Sequence, residues 1–126
     1  MAFSFENLDV YKKALALAEK IEGLCRQLKG KANYSFIDQL SRASMSIPLN
    51  LAEGNGRWHT KEKKQFFWIA RGSVFEVVPI LQMAKNRQYI LDDEYREYYS
   101  ELTDLSKMLL GLINSVDNLR KDKVLD

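Results

Sequence analysis

In 126 residues the sequence has one cysteine, one histidine and two prolines, and each scarcity removes a class of explanation. A lone thiol, Cys25, excludes an internal disulfide, and a lone imidazole, His59, leaves no Cys/His spacing of a zinc site. No nucleophile stands with a base, so neither a catalytic role nor a metal or cofactor is expected. "GNGRWH" holds two glycines in the places that open a dinucleotide loop, but the third glycine and the preceding strand are missing. The opening "MAFSFENLDVYKK" lacks the basic start and apolar run of a signal peptide. No apolar stretch approaches the roughly 20 residues that span a bilayer. The expectation is a protein of the reducing cytoplasm with no membrane contact.

Strong charge of one sign is also lacking. The formal net charge is +2, with a basic front and middle and an acidic last quarter. Such a bias suits a solvated face at least as well as a polyanion site. With 46% hydrophobic and 29% charged residues, the composition excludes disorder and fits one domain, residues 1–126.

What the chain has in quantity is helical periodicity. Val10, Ala14, Leu17, Ile21, Leu24 and Leu28 alternate steps of four and three, with Tyr11, Ala18 and Cys25 widening the face, which predicts a helix over about 8–28. "KGKAN" breaks it. Phe36, Ile37, Leu40, Ala43, Ile47 and Leu51 predict a second helix over about 35–54, with Gly54 and Gly56 as its stop. Thr60 is placed to cap a third, about 60–86, whose core face takes Phe66, Ala70, Val74, Val77, Leu81 and Ala84. The fourth, about 93–119, carries Tyr95, Tyr98, Leu102, Leu105, Leu109, Leu112, Val116 and Leu119. Pro48 and Pro79 fall inside helical patterns that continue past them, so each reads as a kink, with a split of the second helix at Pro48 as the other reading. No segment alternates like a strand, and the connections are short. The expected fold is all-α, an antiparallel up-down-up-down four-helix bundle.

Two anomalies stand out. At 100° per residue, Gln39, Arg42, Ser46, Asn50 and Glu53 form one stripe of the second helix, with Met45, Leu49 and Ala52 on one flank and the core residues on the other. Polar groups held between apolar strips must satisfy one another, so the seam reads either as internal bracing or as a ligand site. On the third helix Trp68, Phe75 and Val78 point away from the core beside Lys64, Arg71 and Gln82. A helix apolar on nearly all sides is buried twice, which makes these three a candidate oligomer interface; aromatics among cations could instead stack on single-stranded nucleic acid.

These same residues carry a resemblance. "FENLDVYKKALALAEKI", "DQLSRASMSIPLNLAEGNGR" and "FFWIARGSVFEV" resemble the opening helix, the signature and the third helix of the 23S rRNA intervening-sequence protein family of small bacterial four-helix bundles. The likeness runs from about Phe5 to Val116, through Gln39, Arg42, Ser46, Asn50, Glu53, Gly54, Arg57, Arg71, Gly72 and Glu76. Where the family pattern often has a second arginine, this chain has Ser41. The resemblance implies a ring-forming homo-oligomer, a pentamer, with no enzymatic activity. A related branch, the accessory variability protein of diversity-generating retroelements, is similar in fold and binds nucleic acid. The expectation is therefore an oligomer that binds RNA or DNA through a weakly basic surface of Arg57, Lys61, Lys63, Lys64 and Arg71. The alternative is a scaffold for a protein partner without nucleic acid.

Overall fold

The structure is a computed structural model that describes residues 2–124, with side chains described for residues 2–118. Leu119, expected to close the last apolar pattern, therefore has its side chain outside the described residues. A short 3-10 turn, Ser4–Asn7, leads into α1 (Asp9–Leu28), α2 (Tyr34–Asn55), α3 (Thr60–Asn86) and α4 (Asp92–Val124). Among the described residues there is no strand.

Local chemistry explains where the helices stop and start. After α1 the chain turns at Gly30, whose φ of 86° lies in the left-handed region that glycine enters without a side-chain clash. Asn33 then caps α2, its Oδ1 accepting the Phe36 amide at 2.9 Å. Thr60, expected as the cap of α3, is instead its first helical residue. His59 holds the cap position without a side-chain bond, because the chain enters the helix one residue earlier than the threonine cap requires. At the far end of α3 the Gln88 amide donates to the Lys85 carbonyl at 3.0 Å and the Tyr89 amide to the Ala84 carbonyl at 2.8 Å. Gln88 takes φ 62° to make this closure, the one left-handed non-glycine residue among the described residues.

Partners across the helix pairs run in opposite directions: Glu22 to Ser41 and Cys25 to Ile37, Gln39 to Glu76 and Ser46 to Ser73, Lys64 to Asp117 and Arg71 to Ser106, and Lys13 to Asp104 and Lys20 to Glu101. Each helix is thus antiparallel to its neighbours, α1 packing on α2 and α4 and α3 on the same two. Ser41 donates to Glu22 Oε2 at 3.0 Å and ties α2 to α1. The core between the helices is apolar but for the buried Ser44 and Ser73, with Ile21, Leu40, Ile47, Leu51, Leu81, Leu105 and Leu109 essentially without solvent contact. Its burial is the main term that holds the bundle together.

Two core assignments change by one residue. Phe67, not Phe66, is the fully buried aromatic of α3, and Ile113 rather than Leu112 is the fully buried position of α4. Both choices satisfy alternating steps of three and four, so spacing cannot separate adjacent apolar residues. Helices α2 and α3 run unbroken through Pro48 and Pro79, so α2 is not split. Gly54 is not a stop signal either. It lies inside α2, where a Cβ would fall 2.7 Å from the Phe67 ring and 2.8 Å from Phe66 Cβ; only a bare backbone lets α3 come this close. Gly56 does sit at the helix end, in an ordinary right-handed conformation.

The expectation that no stretch is long and apolar enough to span a bilayer does not hold for one helix. By length and composition α3 could cross a membrane, with a mean hydropathy of 1.2 over its best window. Arg71 and Glu76 interrupt that window, and 39% of it is buried inside the bundle. Its apolar excess comes from serving the core on one side and an exposed strip on the other.

Candidate interaction surfaces

The polar stripe of α2 does not form one buried network. Its centre is a half-buried knot: Asn50 Nδ2 donates to the Ser46 carbonyl at 2.8 Å and to Ser46 Oγ at 2.9 Å. Ser73 Oγ, buried on α3, bridges to Ser46 Oγ at 2.7 Å. Gln39 reaches across to Glu76 at the surface. Arg42 and Glu53 turn outward and pair along their own helix, Arg42 Nε with Asp38 at 2.8 Å and Glu53 with Arg57 Nη2 at 3.1 Å. Long side chains leave a helix face for water where short ones cannot, which is why only Ser46 and Asn50 stay in the seam. No buried side-chain nitrogen or oxygen lacks a partner among the described residues. Bracing of α2 against α3 accounts for the knot.

The five basic residues meet different fates. Lys63 Nζ caps the end of α2, donating to the Asn55 carbonyl at 2.7 Å, where a cation meets the negative end of the helix dipole. Lys64 reaches Asp117 of α4 at 2.6 Å. Arg57 lies against the Phe66 ring at 4.8 Å as well as Glu53. Lys61 is exposed on the first turn of α3. Arg71 is half-buried about three turns on, its Nε donating to the Ser106 carbonyl at 3.2 Å and its guanidinium stacked 4.8 Å from Phe75 and 5.9 Å from Trp68. The set is therefore divided between the α2–α3 corner and the α3–α4 side. At that corner Trp58, 79% exposed, stands between Arg57 and His59, also exposed.

On the outer side of α3, Trp68 is 47% and Phe75 58% exposed, with Ile69 beside them. Met45 and Leu49 of α2 are exposed too, a strip flanking the seam on its own helix. Gly72 lies in this surface with nothing within 4 Å of where its Cβ would be. Val78 is half-buried and lines a groove of about 470 Å³ between α3 and α4. Spacing placed Trp68 and Phe75 outward, as they are, but also Val78, which packs in part against the core. It could not find the groove, whose far wall of Tyr99, Leu102, Thr103 and Ser106 belongs to another helix.

Conventional reaction chemistry finds little to use. Cys25 is buried, and burial first, then the Glu22 carboxylate, pushes its thiol up to about 11, against a smaller opposite effect of Arg26. A thiol held neutral is a poor nucleophile. No group of three His, Cys, Asp or Glu side chains fit to hold a metal occurs among the described residues.

The family model described as 23S rRNA-intervening sequence protein matches residues 6–111. A crystal structure of a protein with unknown function from the S23 ribosomal protein family, from Bacteroides thetaiotaomicron, superposes with a TM-score of 0.79. It is 23% identical, with 82% of this chain and 97% of that one covered, and the likeness is one of fold. No curated protein matches.

Proposed function

The chain belongs to the 23S rRNA-intervening sequence protein family, and from that premise we propose that it works by assembly: a non-catalytic bundle that joins copies of itself into a ring, a pentamer, as a scaffold for a partner. The observation that carries this is the outer face of α3. Trp68, Ile69 and Phe75 are exposed on a helix whose other face is already core. Large aromatics beside an arginine are the composition of interface centres, and solvated monomers rarely keep such a patch in water. Gly72 adds a flat place where a second backbone can approach. Sedimentation of the parent should give a species several chains in size. Trp68→Asp should reduce it to single chains with an unchanged helical signal, and a variant of the parent's size would remove the interface from α3.

Nucleic-acid binding is the second reading, favoured by the α2–α3 corner. There an exposed Trp58 stands among Arg57, His59 and Lys61, and aromatic stacking beside cations suits single-stranded RNA or DNA. Lys63 and Lys64 contribute less than their number suggests, being held by helix-end carbonyls and by Asp117. Five copies repeat the corner five times, which raises avidity without any strong single site. Anisotropy of a labelled single-stranded RNA should report binding at about 50 mM salt that disappears as salt rises. Trp58→Ala should weaken it several-fold, and binding that ignores both salt and Trp58 would refute this reading.

A further inference from the structure

The groove between α3 and α4 and the corner that joins the two helices carry complementary chemistry. Phe75, Val78 and Leu102 wall the groove, Arg71 and Lys107 supply its charge, and no carboxylate lines it. None of the ion pairs among the described residues uses Arg71 or Lys107. Stacking on Phe75 and the bond to the Ser106 carbonyl hold the Arg71 guanidinium in place, its charge uncompensated. At the tip of the α3–α4 corner the pattern is inverted: Leu91 is 71% exposed and is followed by Asp92 and Asp93, both exposed, while the corner's own cations, Lys85 and Arg87, lie over the Tyr95 and Phe36 rings. Asp93 pairs with a largely solvated Arg96 at 3.6 Å, a contact worth little.

An exposed leucine with two carboxylates fits an apolar groove with two cations. Within one chain they cannot meet, because Thr103 of the groove lies about three helical turns, roughly 16 Å, beyond Asp92 on the same rigid helix. We propose that the Leu91–Asp93 corner of one copy seats in the α3–α4 groove of the next, Leu91 against Phe75 and Val78 and the carboxylates toward Arg71 and Lys107. This deepens, and rests on, the reading that the bundle self-associates. Contact between two different patches is head-to-tail, so every copy gives a corner and receives one, and the series closes into a ring when the rotation between neighbours divides a full turn.

Head-to-tail contact has a signature that a two-fold interface lacks. A groove variant, Arg71→Glu, and a corner variant, Leu91→Ser with Asp93→Lys, should each sediment as single chains. Mixed in equal amounts they should form dimers and nothing larger, since one intact corner and one intact groove remain to pair. Should Arg71→Glu lose its helical signal, Lys107→Glu, at an exposed position, serves as the groove variant. Mixtures that stay monomeric, or a corner variant that keeps the parent's size, overturn the docking. If Trp68→Asp dissociates the parent while groove and corner variants do not, the docking falls and self-association stands. A monomeric parent overturns both.

Discussion

Two glycines show how one residue type serves opposite ends. At Gly54 the space for a side chain is already taken by Phe67 and by the Cβ of Phe66, the latter close to the backbone and unable to swing away. Gly54→Ala must push α3 outward, and overpacking of this kind costs about 1–3 kcal/mol. Gly72 is also helical, but a methyl group there meets nothing. Gly72→Ala should therefore raise the stability of the single chain by about 0.5–1 kcal/mol, through helix propensity and lost unfolded-state freedom. Denaturant midpoints of both variants, measured where the chain is monomeric, should move in opposite directions. If the outer face of α3 is an interface, Gly72→Ala should weaken assembly while it strengthens the fold. That pairing of effects separates an interface glycine from an idle one.

At the scale of elements, the α3–α4 connection keeps a cost that evolution has not removed. Gln88 closes α3 from the left-handed region, where a residue with a Cβ is strained. Gln88→Gly keeps both closing bonds and relieves the strain, and should raise the thermal midpoint, by about 0.5–1 kcal/mol in free energy. A lower midpoint would mean that the Gln88 side chain holds the corner by other contacts. The sequence made the helices legible because amphipathic spacing is a property of a single element: α1 to α3 begin and end within a residue of the ranges read from spacing. Helix α4 continues to Val124, past Leu119 where the apolar pattern ends, since the charged residues that follow extend a helix without marking it. What spacing could not carry was anything decided between elements. Phe66 and Phe67 fit the period equally, and only the approach of α2 at Gly54 selects which is enclosed. The polar stripe was visible as a stripe, yet its division depends on side-chain length and on Ser73 of the facing helix. The groove was invisible for the same reason, being made of two helices and belonging to neither.

For the whole molecule, response to pH follows from groups on either side of the α1–α4 seam. Burial, reinforced by Glu94, Glu101, Cys25 and Glu97 in that order, pushes the Tyr98 phenol from 10.0 to about 12. The Cys25 thiol of α1 rises from 9.0 to about 11. Between each pair of values the folded chain keeps a proton that the unfolded chain has released, so alkali favours unfolding. Stability should be level below about pH 9 and decline as pH rises above it, and Cys25→Ala should delay the onset toward pH 10. Thermal melts across that range read the shift, and an unchanged onset in Cys25→Ala would remove the thiol from the account. The seam itself is thin. Of the four helix contacts, α1 against α4 is the smallest, and Lys20 with Glu97 and Glu101 spans it at the surface, where ion pairs add little. It is also the one packed pair not adjacent in sequence. The other three are hairpins whose ends close over short loops at small entropic cost. Order of formation follows: hairpins zip from their turns, and the circle closes last where α1 finds α4. The native chain reopens most readily along that same line, so exchange of backbone amides with solvent should begin there.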